Sequence, residues 1–468
     1  MVKQQKRLVV IGGGAAGMSA ASRARRLQPD WEIIALERGP RVSFTLCGLP
    51  YLVSDVVKDE ESLVAYTPEY FQEERKIDVR TGHEVRRIDA QAGLVEAFSF
   101  WTGEKTPIPY DKLVIAAGAQ PVRPNIPGIT LDGVFTLRSL EGGVAIKEFL
   151  RTRKVRRAAI IGGGYIGLEM AEALRGAGAD VAIVEAADTL MPGSEPEIAQ
   201  LIEEEVSRHQ VEVRKQQLAL SFEAGAEGAV EKVVTDQGDL EADIVVVAVG
   251  ARPDVAIARE AGITLGETRA IATDDMMRTN LPNIYAAGDC VETRNIITGK
   301  AVYLPLGTTA NKQGRVAGEN AAGGHATFPG IVGSSAVKVF DLEVARTGLS
   351  EEQAKGAGFD PISSVVRFPS HSRFYPDSRP LTLKVIADRR SGRVLGAQMA
   401  GRGTVAKRID VMATALYARM TVADLIRLDL TYSPPFATAW EGIQIAAHAF
   451  QRREPLPEPP SGPTAPPP

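Results

Sequence analysis

A short segment near the start of the chain occurs twice, and this internal repeat limits the fold more than any other feature. Arg7 to Gly17, RLVVIGGGAAG, returns 150 positions later as Arg157 to Gly167, RAAIIGGGYIG. In each copy an apolar strand enters a glycine-rich turn and then a helix with periodic apolar residues. Each helix leads to a second strand that ends in an acid, Glu37 or Glu185. The repeat predicts two βαβ nucleotide-binding domains.

The glycines of both turns have the spacing G-x-G-x-x-G. The first glycine permits a tight turn, the second lets the backbone approach a pyrophosphate, and the third allows close helix–strand packing. The acid at the end of the second strand can accept a ribose hydroxyl. A glycine-rich turn without a ligand is the alternative, and two complete copies argue against it. The glycines concerned are Gly12, Gly14 and Gly17, and Gly162, Gly164 and Gly167.

The second acid bears on which nicotinamide cofactor is used. Glu185 would repel a 2′-phosphate, and Ala186 and Ala187 supply no arginine to receive one. The sequence therefore favours NADH over NADPH.

Two further strand-like runs stop at glycine, Tyr110 to Gly118 and Ala242 to Gly250. A third, Thr279 to Asp289 (TNLPNIYAAGD), ends in Gly-Asp and could place Asp289 against a polyol. Taken alone, that run is explained better by a strand-end turn with a solvated aspartate than by a polyol contact. Together, the repeated glycine motifs and strand segments predict an α/β chain with two Rossmann-like domains, the second inserted in the first.

From about Phe328 the pattern changes to alternating strands followed by helices, which predicts a C-terminal α+β domain. We expect the first domain at 1–119 and 252–327, the inserted domain at 120–251 and the third at 328–453. Residues 454–468 contain eight prolines and predict a disordered tail.

Bulk composition excludes several function classes. Lys and Arg total 54 against 58 Asp and Glu, a formal net charge of -4, so a nucleic-acid partner is not expected. The longest apolar runs, such as Ile244 to Val249, are far short of the ~20 residues of a membrane span, so no membrane partner is expected either. Two cysteines are typical of a reducing cytoplasm rather than of a disulfide framework.

The order of these motifs resembles the FAD- and NAD(P)-dependent pyridine nucleotide–disulfide oxidoreductases over nearly the whole chain. The resemblance implies that the first motif holds FAD, the second holds NAD(P)H, and the third domain forms a homodimer. Asp289 would bind the FAD ribityl chain, and Tyr165 would cover the flavin until nicotinamide displaces it. No metal site is implied. The FAD residues would be Gly12, Gly14, Ala16, Gly17, Glu37, Arg38, Ala117, Gly118, Asp289, Leu306 and Thr308, and the NAD residues Gly162, Gly164, Tyr165, Ile166, Gly167, Glu185 and Gly250.

Cys47, in RVSFTLCGLPY, is the candidate redox residue. A thiolate near a helix N-terminus and an oxidised flavin has a lowered pKa and can act as nucleophile and electron relay. A small packed cysteine is the alternative. Val42 and Leu52 exclude a CxxxxC pair, so the oxidised form would be a sulfenic acid or a mixed disulfide. Cys290 directly follows Asp289, which favours a structural role.

The loop SFxxCGLPY, Ser43 to Tyr51, is similar to that of coenzyme A-disulfide reductases and of persulfide and polysulfide reductases. Peroxide-reducing relatives carry a histidine where this chain has Ala15, which counts against peroxide chemistry. The resemblance implies that Tyr375 and Tyr432 assist the departing thiolate, Tyr432 across the dimer, as a tyrosine hydroxyl can donate a proton. Two packed aromatics are the alternative.

Coenzyme A is an open question at this stage. The same resemblance maps its contacts onto Ser19, Arg23, Arg26, Ser43 and Arg75. Arginines suit an anionic nucleotide, and they also suit a solvated helix face. Leu46 stands where an asparagine usually contacts the substrate. A mixed disulfide with coenzyme A is therefore one expectation among several.

The sequence favours an NADH-dependent FAD enzyme that reduces coenzyme A disulfide, coenzyme A persulfide or polysulfide through Cys47. An NADH oxidase that reduces oxygen shares every cofactor feature and is the main alternative. A non-catalytic redox sensor is a third, and no residue pattern supports it.

Overall fold

The computed structural model describes residues 5–453. These residues form strands and helices that alternate along much of the chain. The first part begins with a parallel βαβ unit and adds an antiparallel hairpin extension. Its elements are β1 (Arg7–Ile11), α1 (Ala15–Leu27), β2 (Glu32–Leu36), α2 (Leu49–Val53), α3 (Pro68–Arg75), β3 (Asp78–Arg80), β4 (His83–Asp89), β5 (Leu94–Ser99), β6 (Lys105–Pro109), β7 (Lys112–Ile115) and β8 (Ala119–Pro121).

The middle part repeats this plan. Its elements are β9 (Val134–Thr136), α4 (Leu140–Thr152), β10 (Arg157–Ile161), α5 (Tyr165–Gly176), β11 (Asp180–Glu185), α6 (Pro196–Arg208), β12 (Glu212–Lys215), β13 (Ala219–Ala224), β14 (Val230–Thr235), β15 (Leu240–Glu241), β16 (Ile244–Val247) and β17 (Ala251–Pro253).

The chain then returns to the first part and continues into a separate sheet. The returning elements are α7 (Ala256–Glu260), β18 (Ile284–Ala286), β19 (Thr293–Arg294), β20 (Ala301–Val302) and α8 (Gly307–Ala321). The last ones are β21 (Ser335–Val339), β22 (Leu342–Gly348), α9 (Glu351–Gly356), β23 (Pro361–Pro369), β24 (Pro380–Asp388), β25 (Val394–Gly401), α10 (Val405–Tyr417), α11 (Val422–Ile426) and α12 (Gly442–Arg453).

The two parallel sheets confirm the predicted α/β fold with one nucleotide-binding unit inserted in another. The first sheet has the order β18-β7-β1-β2-β3 and the second the order β12-β11-β10-β16-β9. β18 pairs with β7 although the whole second sheet lies between them in the sequence. The central strands β1 and β10 are buried apolar runs, as expected for parallel strands covered on both faces.

The third sheet is antiparallel, with the order β21-β22-β25-β24-β23, and α10 and α12 pack on it. This confirms the predicted α+β domain. β25 is buried along its whole length, and its sequence is apolar except for Gln398, which bonds to the Glu195 N–H and the Gly193 carbonyl. The sequence patterns missed β22, whose buried positions are interrupted by Glu343 and Arg346.

The predicted domain boundaries stay a prediction, and the predicted proline-rich tail at 454–468 lies outside the described residues. Within residues 5–453, no helix is both long enough and apolar enough to cross a membrane.

A buried lysine joins the inserted unit to the third sheet. The Nζ atom of Lys384, on β24, lies 2.8 Å from a carboxylate oxygen of Glu195 and 3.0 Å from oxygens of Glu197 and Glu351. Its side chain is only 6% exposed. Burial lowers the pKa of Lys384, but the hydrogen bonds to the three carboxylates outweigh burial and leave the pKa raised. The charged cluster therefore fixes how these two parts of the chain meet.

Candidate cofactor and sulfur site

The first glycine loop is built so that only glycine fits at two of its positions. Gly12 has φ +102°, in the region that favours glycine. A Cβ on Gly17 would lie 1.8 Å from the carbonyl oxygen of Gly12, so α1 starts directly against the loop. Gly14 has nothing within 4 Å of its Cβ direction. That open space leaves room for a ligand at the start of α1.

The second loop repeats this geometry. Gly162 has φ +103°, and a Cβ on Gly167 would lie 2.0 Å from the oxygen of Gly162. Gly164 again faces open space. Neither α1 nor α5 has an acid in its first turn or a side-chain cap, so backbone N–H groups and the positive end of each helix dipole face those spaces. Both loops therefore fit the pyrophosphate of a dinucleotide.

Each loop is supported by its acid. The carboxylate of Glu37 accepts hydrogen bonds from the backbone N–H groups of Gly13 and Gly39, both at 2.7 Å. Glu185 accepts in the same way from Gly163 at 2.6 Å and Ala187 at 2.8 Å. A carboxylate has about four lone-pair sites, so both glutamates can still accept from a ribose hydroxyl. The loop-supporting role was not part of the sequence prediction.

The remaining predicted cofactor residues lie at strand ends and helix starts around these loops. Several occupy half-buried or exposed positions. Ala117 and Gly118 follow β7, Gly250 follows β16, Leu306 and Thr308 begin α8, Ala16 and Ile166 lie in the first turns of α1 and α5, and Arg38 is 61% exposed beside Glu84.

Asp289 follows β18 and pairs with an arginine that the sequence did not reveal. The Nη2 atom of Arg138 lies 2.5 Å from its Oδ2. Burial raises the pKa of Asp289, and Arg138 opposes that rise. The Tyr303 hydroxyl donates to the Asp289 carbonyl at 3.0 Å. A half-buried carboxylate that is paired with Arg138 in this way still has lone pairs that suit a hydrogen bond from a ribityl hydroxyl.

Cys47 lies in a 3-10 turn, Leu46–Gly48, just before α2, and its side chain is exposed. The lowered pKa predicted from the sequence rested on an oxidised flavin as well as on the helix start, and it stays a prediction. Partial desolvation by the walls of the site raises the pKa of Cys47, Glu169 and Asp289 raise it further, and Arg138 opposes them. The two carboxylates come from distant parts of the sequence.

Glu169 and Tyr51 form an ionisable group around Cys47 that the sequence patterns missed. Burial and the nearby Glu172 raise the pKa of Glu169 to about 7. Burial, Glu169 and Glu172 also raise the pKa of Tyr51. Tyr51 lies on α2 and Glu169 on α5, two helices that contact each other. Sequence spacing gave no signal for this contact because the helices belong to different units.

Cys290 is fully buried. Its Sγ contacts the carbonyl oxygens of Ala287 at 3.4 Å and Ile115 at 3.7 Å. Burial raises its pKa to about 12. A thiol of this kind is a poor nucleophile at neutral pH.

Tyr165, the residue expected to cover the flavin, is tethered to the third sheet. Its hydroxyl lies 2.6 Å from the Ser335 hydroxyl, and the guanidinium of Arg346 lies 5.5 Å from the ring centroid. Any movement of the ring must break that hydrogen bond.

The two candidate tyrosines of the third domain are exposed and lie on loops that contact each other. The Ser372 N–H, in the Tyr375 loop, donates to the Pro434 carbonyl, in the Tyr432 loop, at 3.2 Å. The buried Arg408 donates to carbonyl oxygens in both loops. The hydrogen bonds of residues 5–453 include none between either tyrosine hydroxyl and Cys47 of the same chain.

Three of the five residues predicted to contact coenzyme A already interact with other side chains of the protein. Arg23 forms an ion pair with Glu319 at 2.6 Å, and the Ser19 hydroxyl donates to Asn311 at 2.8 Å. Arg75 lies over three aromatic rings, those of Tyr66, Tyr70 and Phe71. Arg26 is exposed, and Ser43 has φ +52° beside the first glycine loop.

Comparison with known proteins decides the family. Residues 6–314 match the pyridine nucleotide-disulphide oxidoreductase family, and residues 334–442 match its dimerisation domain. The chain belongs to this family. Enzymes of the family use FAD and NAD(P)H.

Three relatives of this oxidoreductase cover nearly its whole length. It is 40% identical to the "NAD(P)H sulfur oxidoreductase (CoA-dependent)" of Pyrococcus abyssi, over 96% of the chain and 99% of the relative. It is 34% identical to an "NADH oxidase" of Methanocaldococcus jannaschii, over 94% and 98%. A solved "NAD-Dependent Persulfide Reductase from A. fulgidus" superposes with a TM-score of 0.92 at 40% identity, over 96% of this chain and 83% of that one.

We predict that Glu169→Gln lowers the pKa of Cys47 in this oxidoreductase. Above about pH 7 the Glu169 carboxylate is charged and opposes the neighbouring thiolate, so removing the charge favours the thiolate. Alkylation of Cys47 at about pH 8 should become about two- to fivefold faster, as expected for weak repulsion at a partly exposed site. The measurement is the pH dependence of the iodoacetamide reaction of the FAD-bound protein.

The matched control is Glu104→Gln, on an exposed hairpin, which should leave the alkylation profile unchanged. An unchanged profile in Glu169→Gln would show that its carboxylate does not act on the thiol.

Proposed function

We propose that this protein is an NADH-dependent FAD enzyme that reduces coenzyme A disulfide, coenzyme A persulfide or polysulfide through Cys47. The observation that carries the proposal is the contrast between the two cysteines. Cys47 is exposed beside a cluster of ionisable groups, whereas Cys290 is buried and bonded to backbone carbonyls. The names of the P. abyssi and A. fulgidus relatives support a sulfur acceptor.

The reaction needs a nucleophilic sulfur, a two-electron supply and a proton for the leaving group. When bound, FAD supplies the path by which the two electrons of NADH reach sulfur. The Cys47 thiolate attacks the sulfur–sulfur bond of the substrate, forms a mixed disulfide and expels a thiolate, or hydrosulfide from a persulfide. The expelled thiolate takes a proton. The two electrons then cleave the mixed disulfide, releasing the second thiol and restoring Cys47.

The tyrosines of the third domain are suited to the proton step. Tyr375 and Tyr432 are exposed, and the dimerisation-domain match supports a homodimer. In this proposal Tyr432 reaches Cys47 of the partner subunit. Exposed aromatic side chains on the same two loops, Phe374 and Phe436, support burial of this surface between subunits. Two free cysteines support a reducing, cytoplasmic location.

An NADH oxidase that reduces oxygen is the second candidate, favoured by the name of the M. jannaschii relative. Ala15 stands where a sulfenate-stabilising histidine would be expected, which supports sulfur rather than oxygen as the acceptor.

We predict that Cys47→Ser abolishes reduction of coenzyme A disulfide and polysulfide while FAD and NADH binding persist. Serine is too weak a nucleophile to replace the thiolate. Turnover is followed as anaerobic NADH oxidation with each sulfur acceptor. Cys290→Ser is the control, because its hydroxyl can donate to the same carbonyls, and its turnover should stay close to wild type. Loss of activity in Cys290→Ser alone would mean that the wrong sulfur has been assigned.

We predict that kcat/KM favours NADH over NADPH by at least about tenfold, because Glu185 repels a 2′-phosphate. In the double variant Glu185→Gln and Ala187→Arg, the amide keeps an acceptor for the Gly163 N–H and the new arginine can bind phosphate. The NADH to NADPH ratio should fall by about tenfold or more.

The equivalent change in the first loop, Glu37→Gln, is the matched control and should leave this ratio unchanged, since that loop is assigned to FAD. A wild-type enzyme that uses NADPH as well as NADH would contradict the cofactor assignment.

We predict that Tyr432→Phe lowers disulfide turnover by at least tenfold, since general acid assistance is typically worth about 10²–10⁴-fold. Flavin reduction by NADH should be almost unchanged, as stopped-flow absorbance would show. Tyr417→Phe, a similarly exposed tyrosine of the same domain, is the control. Mixed dimers of Cys47→Ser and Tyr432→Phe subunits should regain part of the activity. Wild-type turnover by Tyr432→Phe would assign the tyrosine to packing.

A further inference from the structure

Along α5, Tyr165 lies between the second glycine loop and a carboxylate that acts on Cys47. It is the first residue of the helix and directly follows Gly164, beside which the structure leaves open space. About one turn further along the helix comes Glu169, which raises the pKa of Cys47. A dinucleotide with its pyrophosphate at the start of α5 therefore reaches the Cys47 site past the Tyr165 side chain.

The Tyr165 hydroxyl is bound by a residue of the third domain, Ser335. The two hydroxyl oxygens lie 2.6 Å apart, which is a full hydrogen bond between hydroxyl groups. Ser335 is the first residue of β21 and lies 170 positions after Tyr165 in the chain. The side chain is thus held from outside the unit to which its own backbone belongs.

Arg346 contacts the same ring from the neighbouring strand. Its guanidinium carbon lies 5.5 Å from the ring centroid of Tyr165, within the range of a cation–π contact. Ser335 and Arg346 are directly opposite each other on β21 and β22, so their side chains share one face of the sheet. A single cross-strand pair therefore holds both the hydroxyl and the ring of Tyr165.

The backbone of α5 is fixed to the same hairpin two turns further on. The carboxylate of Glu172 accepts a hydrogen bond from the Phe340 N–H at 2.9 Å and forms an ion pair with Lys338, on β21. Tyr165 and Glu172 are about two helical turns apart, so their side chains lie on the same face of α5. Because this face is attached to the hairpin at both points, Tyr165 moves by rotation of its side chain rather than with the helix. That rotation breaks the bond to Ser335.

We propose that Ser335 is a positioning residue that holds Tyr165 in its closed position and thereby lowers the affinity for the nicotinamide dinucleotide. A ligand that displaces the ring must break the Ser335 bond, so its apparent affinity is scaled by the fraction of molecules in which the ring is already free. The net contribution of one hydrogen bond changes such an equilibrium by about two- to tenfold.

The inference rests on the proposed NADH-dependent function, in which nicotinamide displaces Tyr165. It adds the residue that opposes this displacement. Since Ser335 belongs to the dimerisation domain, that domain then acts on cofactor binding as well as on subunit contact.

Calorimetric binding to the FAD-bound protein tests the role of Ser335 with two ligands, NAD⁺ and ADP-ribose. ADP-ribose has the same pyrophosphate and lacks nicotinamide, so it has no need to displace Tyr165. Ser335→Ala and Tyr165→Phe remove the hydrogen bond from either side, and the double variant combines them. Ser335→Thr keeps a hydroxyl and tests for rescue.

The matched control is Ser334→Ala, at the adjacent residue. The hydroxyls of Ser334 and Thr347 lie 2.8 Å apart, so this variant also removes a bond between hydroxyl groups. That bond joins two residues of the third domain and does not involve Tyr165. The control should therefore bind both ligands as the wild type does.

We expect NAD⁺ to bind about two- to tenfold more tightly to Ser335→Ala and to Tyr165→Phe than to the wild type. The double variant should gain no more than either single variant, because both changes remove the same bond. Ser335→Thr should bind NAD⁺ like the wild type, and ADP-ribose should bind all variants equally. Equal changes for both ligands, unchanged NAD⁺ binding in Ser335→Ala, or additive gains in the double variant would overturn the role of Ser335.

These binding measurements also separate the inference from the proposed function. A gain in NAD⁺ affinity that is confined to the variants without the bond supports the role of Ser335 even if no sulfur compound is turned over. Reduction of sulfur compounds by NADH together with unchanged NAD⁺ affinity in those variants supports the reductase and contradicts the role of Ser335.

Discussion

Both nucleotide loops depend on one contact, the close approach of a helix to the carbonyl of the first loop glycine. A side chain at Gly17 or Gly167 would lie 2.0 Å or less from that carbonyl oxygen, so each helix can start there only on glycine. This contact directs free backbone N–H groups of α1 and α5 toward open space. A glutamate at the next strand end then accepts a hydrogen bond from a loop N–H, Gly13 in the first loop and Gly163 in the second. Both loops have the geometry that suits a bound anion.

The meeting of α2 and α5 connects the two sites. α2 follows Cys47, and α5 carries both Tyr165 and Glu169, so the Cys47 loop of one unit lies close to the glycine-loop helix of the other. The inserted unit is fixed to the third sheet by the buried Lys384 and its three carboxylates. Arg408, paired with Glu441, joins the two tyrosine loops. Buried charges thus hold the parts that must cooperate, and breaking such a pair is costly.

The sequence predicted the features that are determined by residues close together in the chain. The glycine spacing, the acids at strand ends and the exposed loop around Cys47 all follow from residues close together in the chain. The partners that come from distant segments could not be predicted in the same way. Arg138 beside Asp289 and Glu169 beside Cys47 both arise where separate elements meet. Glu169 and Asp289, whose carboxylates raise the pKa of Cys47, likewise come from distant segments.

In the proposed reaction Cys47 carries the sulfur of the substrate as a mixed disulfide. Intact-protein and peptide mass spectrometry of the oxidised enzyme, with and without a thiol reductant, tests this directly. We expect an adduct of a small thiol or of sulfur that maps to Cys47 and is released by reductant. Oxygen atoms added to Cys47 with no thiol or sulfur adduct, or an adduct that maps to Cys290, would contradict it.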